Sequence, residues 1–268
     1  MKLKIASLLL LPGAIYALHW KGGLRYLVIS LGIEHCIIFT ALTSLIYQLN
    51  SNLPSFVASY LLALMLLINL YEIQYLINDV IAIRWEDKPT YREYVKEVKG
   101  FVFQLVVVSR LAYVTVLYNL LSSFGISSIK IIIAILTLGF TFLLHNIQRI
   151  HLYRIMTYTL IRFSRYIFIP LILLTDSAYL YHLIIVLLPM LIVDVVTANH
   201  YTLSKYGIKY ELNLPPLYYL FTLFLPIQIA LIYPRIALLC GNIIVIVVSL
   251  CKNILIDIVK TKRTKLQS

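Results

Sequence analysis

Apolar runs long enough to cross a bilayer recur from one end of this chain to the other, and they limit its possible folds more tightly than any other feature. Roughly 20 apolar residues wound as a helix span a hydrocarbon core. Reading the runs between charged or Pro/Gly breaks gives one short segment, 5–20, and eight longer ones near 24–48, 54–83, 100–122, 126–146, 152–174, 178–203, 215–233 and 236–258. A β-barrel would need short alternating segments instead, and a water-soluble surface is incompatible with 61% hydrophobic and only 13% charged residues. The expected fold is all-α: a polytopic membrane helix bundle of about eight or nine transmembrane helices, forming one transmembrane domain over 1–268.

Two polar connections stand out, RWEDKPTYREYVKEVKG at 84–100 and SKYGIKYELN at 204–213. The runs ending at 83 and 203 are separated by four crossings, an even number, so both loops lie on one face. Lys21, Arg25, Arg149, Arg154 and the basic tail with Lys260, Lys262, Arg263 and Lys265 share that face, whereas the opposite loops hold little beyond Lys130 and Arg235. The positive-inside rule therefore places the charged loops and the C-terminus in the cytoplasm. A net charge of +12 is then explained by topology and anionic headgroups, without nucleic acid. Cys36, Cys240 and Cys251 have neither metal-site nor disulfide spacing.

The start, MKLKIASLLLLPGAIYALHW, has the lysines and apolar run of a signal peptide, but His19, Trp20 and Lys21 end the run without a small-residue cleavage site. The segment is expected to stay in the mature protein. With Lys2 and Lys4 cytoplasmic it must lie in the interface or re-enter, and Pro12-Gly13 disfavours a straight spanning helix.

Ionisable side chains at membrane depth cost about 3 kcal/mol each, so those present need partners or a polar cavity. Glu72, Asp79 and Glu86 recur every seven residues along one helix stripe, with Asn78 beside them. A purely structural reading pairs Glu72 with Arg110 of the following helix and leaves Glu86 solvated. Arg154, Tyr158, Arg162 and Arg165 line one face of segment 152–174, with His145, Asn146 and Arg149 just before it. These arginines either snorkel to headgroups or form an anion site, since the guanidinium fork matches phosphate oxygens. Segment 178–203 ends in DVVTANHYTLSKYG, which puts Asp194, Thr197, Tyr201 and Lys205 on one stripe with Asn199 and His200 beside it. Asp194 is either an arginine partner or a site residue.

The stretch YEIQYLINDVIAIRWEDKPTYR, residues 71–92, resembles the first acidic motif of the UbiA superfamily of intramembrane prenyltransferases. Asn78 and Asp79 match its Asn-Asp pair, Ala82 replaces the next aspartate, Glu86 stands at the third acidic position, and Lys88, Pro89 and Arg92 match the residues that follow. At the family's second motif this chain has DVVTANHYTLSKYG, with Asp194, Asn199 and Gly207 as counterparts and Leu203 in place of an aspartate. HNIQR, YR, T and RY within 145–166 also resemble a less typical UbiA-like group.

The resemblance implies a UbiA-like transferase acting on a polyprenyl or isoprenoid (di)phosphate at the cytoplasmic face. Asp79, Glu86 and Asp194 would be its catalytic carboxylates, and Asn78, Asp79 and Glu86 its magnesium ligands. Asn78, Arg149, Arg154, Arg162, Arg165, Asn199, His200 and Lys205 would contact the substrate. The competing expectation is a non-catalytic protein on the same bundle that binds or transports isoprenoids or other lipids.

Overall fold

Pro54 opens α1 (Leu53–Val80), the first long helix among the described residues, in its first turn, where a missing N–H costs nothing. Its 28 residues rise about 42 Å, more than the thickness of a hydrocarbon core. A polar connection leads to α2 (Phe101–Ser123), which a four-residue turn joins to α3 (Ser128–Ile147), and α4 (Arg154–Leu173) follows. The computed structural model describes residues 10–15, 35, 38–39, 42, 52–85, 92–96, 98, 100–147, 154–174 and 203. Among the described residues there is no strand, and α1 to α4 are long and apolar enough to cross a membrane, the mark of an integral membrane protein. They coincide with four of the predicted runs. Most of the runs predicted at 5–20, 24–48 and 178–203, and all of 215–233, 236–258 and the 204–213 loop, lie outside the described residues.

The α2–α3 turn shows how local chemistry sets the hairpin. Gly125 adopts a φ of 82°, its N–H donates to the Ser122 carbonyl, and the Ile126 N–H reaches back to the Leu121 carbonyl. This Schellman arrangement covers carbonyls that a helix end would otherwise leave bare, and glycine permits it without a Cβ clash. At the same end of the bundle the Lys130 ammonium donates to the Leu174 carbonyl, closing the last turn of α4.

The four helices run alternately up and down, with α1 packed against each of the others. Ala63 of α1 and Ala134 of α3 are both buried, as expected where helices approach closely in a membrane. Around them Leu66, Leu67, Tyr71, Leu117, Leu138, Phe142 and Phe168 form the main core. His35 and Phe39 belong to this packing too: the Tyr60 hydroxyl donates to the His35 carbonyl, and Phe39 lies against the Phe56 and Tyr60 rings. The outer faces of α2 and α3 are apolar yet exposed, including Val108, Leu111 and Val116 on one and Ile129, Leu136 and Phe140 on the other. Hydrocarbon is the solvent that such faces match.

A smaller core joins Ile15, Leu76, Tyr94, Val98 and Val106. It brings a piece of the N-terminal segment and part of the α1–α2 connection together against these two helices. Leu10 to Gly13 form a turn, with Gly13 at a φ of 90°, so this stretch is not a straight helix, as Pro12-Gly13 predicted.

A candidate functional site at the Asp79 end of the bundle

Charges buried among these helices divide into two groups, and the deeper one holds the fold together. Glu72 and Arg110 are fully buried, with Nε and Oε2 2.7 Å apart, about 12 Å below the Asp79 end of α1 at 1.5 Å per residue. The pairing is the one expected from the cost of isolated charges at that depth. Its partners were not legible: Arg110 also donates to the carbonyls of Leu10 and Leu11, each at 2.7 Å, and Glu72 accepts the Ile15 N–H at 2.7 Å. Turns at membrane depth carry polar backbone groups that helices would satisfy internally. Here the ion pair satisfies them, because a guanidinium retains donors after meeting one carboxylate.

The second group gathers where α1 and α3 end and α2 and α4 begin. Asp79 is only 2% exposed. One of its carboxylate oxygens accepts from the Asn78 amide at 2.9 Å and the other from the Tyr94 hydroxyl at 2.6 Å. Asn78 in turn accepts from Arg154 at 2.9 Å. Tyr94, on the short 3-10 helix Glu93–Lys96, α1 and α4 are thereby linked through four consecutive side chains. Burial, reinforced by the adjacent Asp79 carboxylate, pushes the Tyr94 hydroxyl well above the ordinary phenol range. It therefore keeps its proton and remains a donor.

Tyr94 carried no signal in the sequence: it is one tyrosine in a charged loop, outside any helical stripe. Replacing it with Phe keeps the ring against Leu76 and Val98 but removes the donor to a charged acceptor, at a cost of about 1.5–3 kcal/mol. Thermal unfolding in detergent should show this loss, and a melting temperature equal to the parent's would mean that the bond does not hold the connection in place.

The arginine stripe of α4 is used at three levels. Arg154, 6% exposed, meets Asn78. Arg162 donates from Nε to the Tyr158 hydroxyl at 2.7 Å, with its guanidinium also over that ring. Arg165 lies deeper, 2% exposed and 5.6 Å from the centre of the Tyr71 ring on α1, which in turn packs edge-on against Phe142 of α3. Antiparallel packing explains the sequence of contacts, since going down α4 means going back along α1. Of the predicted site residues, Asn78, Asp79 and Arg154 are brought into contact, while Arg162 and Arg165 line the same helix further in. Glu86, Arg149, Asp194, Asn199, His200 and Lys205 lie outside the described residues.

His145 completes this end from α3. Its Nδ1 lies 3.0 Å from the Thr157 hydroxyl, which itself bonds the Arg154 carbonyl. The sequence placed His145 just ahead of the arginine stripe; the packing of α3 against α4 brings it to Thr157, 12 residues on.

As a magnesium centre the described part of this cluster is a poor fit. Magnesium needs hard oxygen ligands, commonly one or two carboxylates completed by phosphates and water. Asn78 instead directs its oxygen to a guanidinium, Asp79 is the one carboxylate in the contact network, and no group of three His, Cys, Asp or Glu that could hold a metal occurs among the described residues. What the arrangement offers is a carboxylate held by two donors next to a planar cation, at the boundary of an apolar bundle. Comparison with protein-family models, with characterised proteins and with solved structures gives no match.

Proposed function

We propose that this integral membrane protein binds a phosphorylated isoprenoid with its headgroup at the Asp79 end and its chain among the helices, and acts as a UbiA-like transferase on it. The observation that carries the reading is the contact of Arg154 with Asn78 beside the buried Asp79. It joins a guanidinium fork to the Asn-Asp pair whose surroundings resemble the first acidic motif of that superfamily. In this reading Arg154 contributes charge-assisted hydrogen bonds to the phosphate, and Asp79 holds the cluster in register. Magnesium belongs to the proposal through the resemblance alone, with Asn78, Asp79 and Glu86 as its ligands, and no step is assigned to it.

The second reading, a binding or transport protein without transfer chemistry, is favoured by one specific feature. Both Asp79 oxygens and the Asn78 oxygen already accept protein donors, an arrangement suited to retaining an anion through arginine without metal. Turnover separates the two readings, because fold alone assigns neither.

Arg154→Lys tests the shared part. Lysine keeps the charge but lacks the planar fork, so binding of farnesyl diphosphate to protein in bilayer discs should weaken by about 1–3 kcal/mol, the range for one or two charge-assisted hydrogen bonds. Arg162→Lys and Arg165→Lys, in the same assay, report whether the phosphate reaches down the stripe. Arg235→Lys, on the face opposite by sequence, should bind as the parent does. Parent-like affinity in all three stripe variants would leave these arginines with their packing contacts to Asn78, Tyr158 and Tyr71 alone.

The proposal also fixes an orientation. Reporter fusions after residues 90, 208 and 268 should all read cytoplasmic, as the even count of crossings and the basic loops require. An extracytoplasmic signal at any of them would break the count of helices and remove the reason for placing the headgroup site inside the cell.

A further inference from the structure

Of the four described helices α2 is the least buried, and its outer side has an order of its own. Phe101, Leu105, Val108, Ala112, Thr115 and Asn119 are all exposed and recur at alternating steps of four and three residues. That spacing draws one seam along a helix, the pattern by which two helices pack side by side. The seam lies opposite Arg110 and Leu117, which face the bundle. Ala112, the middle residue of Phe101–Ser123, lets a second backbone come close at the centre of the helix. Thr115 donates its hydroxyl proton to the Leu111 carbonyl of its own helix at 3.0 Å and so presents a methyl group outward. Asn119 differs, because its amide meets no hydrogen-bonding partner in the described part of the protein. It stands about 10 Å along the helix from Ala112, inside the roughly 15 Å half-thickness of a hydrocarbon core. Hydrocarbon offers an amide neither a donor nor an acceptor.

We propose that this seam is a homodimer interface, occupied by α2 of a second copy of the chain. Two copies inserted with the same topology are related by a twofold axis along the membrane normal, so their α2 helices run parallel and each seam residue meets its own counterpart at equal depth. A side-chain amide carries both donors and an acceptor, so Asn119 opposite Asn119 is self-complementary, each NH2 donating to the other's oxygen. That property selects a second copy over lipid, which cannot bond an amide, and over an unrelated helix, which would need a polar group at the same depth. Steps of four and three give the pair a left-handed crossing of about 20°. The same symmetry sets the two Asp79 ends in one leaflet. Dimerisation is independent of the function proposed above.

Single-molecule photobleaching of the dye-labelled full-length protein in bilayers, counted over a range of protein densities, reads the association. The parent should give two-step spots, Asn119→Leu should need about tenfold more protein to pair, and Ala112→Leu, which fills the seam, should weaken pairing at least as much. Leu136→Ala, on the exposed face of α3, should pair as the parent does. Val108→Cys, in a chain also carrying Cys36→Ala, Cys240→Ala and Cys251→Ala, should oxidise to a cross-linked dimer, whereas Leu136→Cys in that chain should not. The cross-link leaves Asn119 in place, so it tests the interface even where Asn119→Leu folds poorly. Single-step spots at every density would assign the seam to lipid or to another part of the same chain. Pairing indifferent to Asn119→Leu, or cross-linking through Leu136→Cys instead of Val108→Cys, would assign the dimer to another face. Each of these results overturns the proposal.

Discussion

Replacing Arg110 with Leu should destabilise the protein more than any other single substitution considered for it, by about 3–5 kcal/mol, the cost of leaving one member of a buried ion pair without the other. Glu72 is fully buried, and the carbonyls of Leu10 and Leu11 would lose their donors in the same step. Low yield of folded protein and a strongly lowered melting temperature in detergent are the expected readings. Glu72→Leu should cost a similar amount, because Arg110 would then be the uncompensated charge. The double variant Glu72→Leu/Arg110→Leu should recover part of the loss, since no isolated charge remains, but not all of it, since the Leu10, Leu11 and Ile15 backbone groups still lack partners. If Arg110→Leu melts with the parent, the turn at 10–13 is not held by this pair, and the deep polar cluster has no structural role.

Asp79→Asn should eliminate transfer of an isoprenoid group while leaving a folded protein. The amide retains one acceptor oxygen in place of two, so the Tyr94 hydroxyl and the Asn78 amide compete for it, and the negative charge facing Arg154 through Asn78 is gone. Hydrogen bonds to a charged group contribute about 1.5–3 kcal/mol each, enough to loosen the α1–α2 connection without unfolding four packed helices. Monodisperse purification and a melting temperature within several degrees of the parent's would establish the fold, and release of phosphate or diphosphate from a labelled isoprenoid donor would measure transfer. Full activity in Asp79→Asn would remove the carboxylate from the reaction. Full activity of the parent in excess chelator would remove magnesium.

What could be read in the sequence was whatever depends on one helix at a time. The runs at 54–83, 100–122, 126–146 and 152–174 correspond to α1–α4 within a few residues, because length and apolar composition decide where a chain can cross a bilayer. Pairing of Glu72 with Arg110 was also legible: two opposite charges at matching depth on adjacent helices have few other ways to lower their cost. The seven-residue spacing of Glu72 and Asp79 put both on one helix stripe, and the structure buries both.

Contacts between elements were not legible in this way. Which arginine of α4 meets Asn78 depends on the rotation and stagger of two antiparallel helices, which no offset within either helix encodes, and it is Arg154 rather than Arg162 or Arg165. Tyr94 was missed because its role depends on how a polar connection folds back across the helix end. Leu10 and Leu11 act through backbone carbonyls, to which side-chain identity gives no clue; only Pro12-Gly13 marked the place where the chain turns.

The central claim is that the Asp79 end of the bundle holds the headgroup of a phosphorylated isoprenoid. Mass spectrometry of lipid retained by the protein after purification in mild detergent tests it most directly, with Arg154→Ala purified alongside. The account predicts an isoprenoid phosphate in the parent at a level approaching one per chain and strongly depleted in Arg154→Ala. Retention of bulk phospholipid alone, in equal amounts in both proteins, would contradict it.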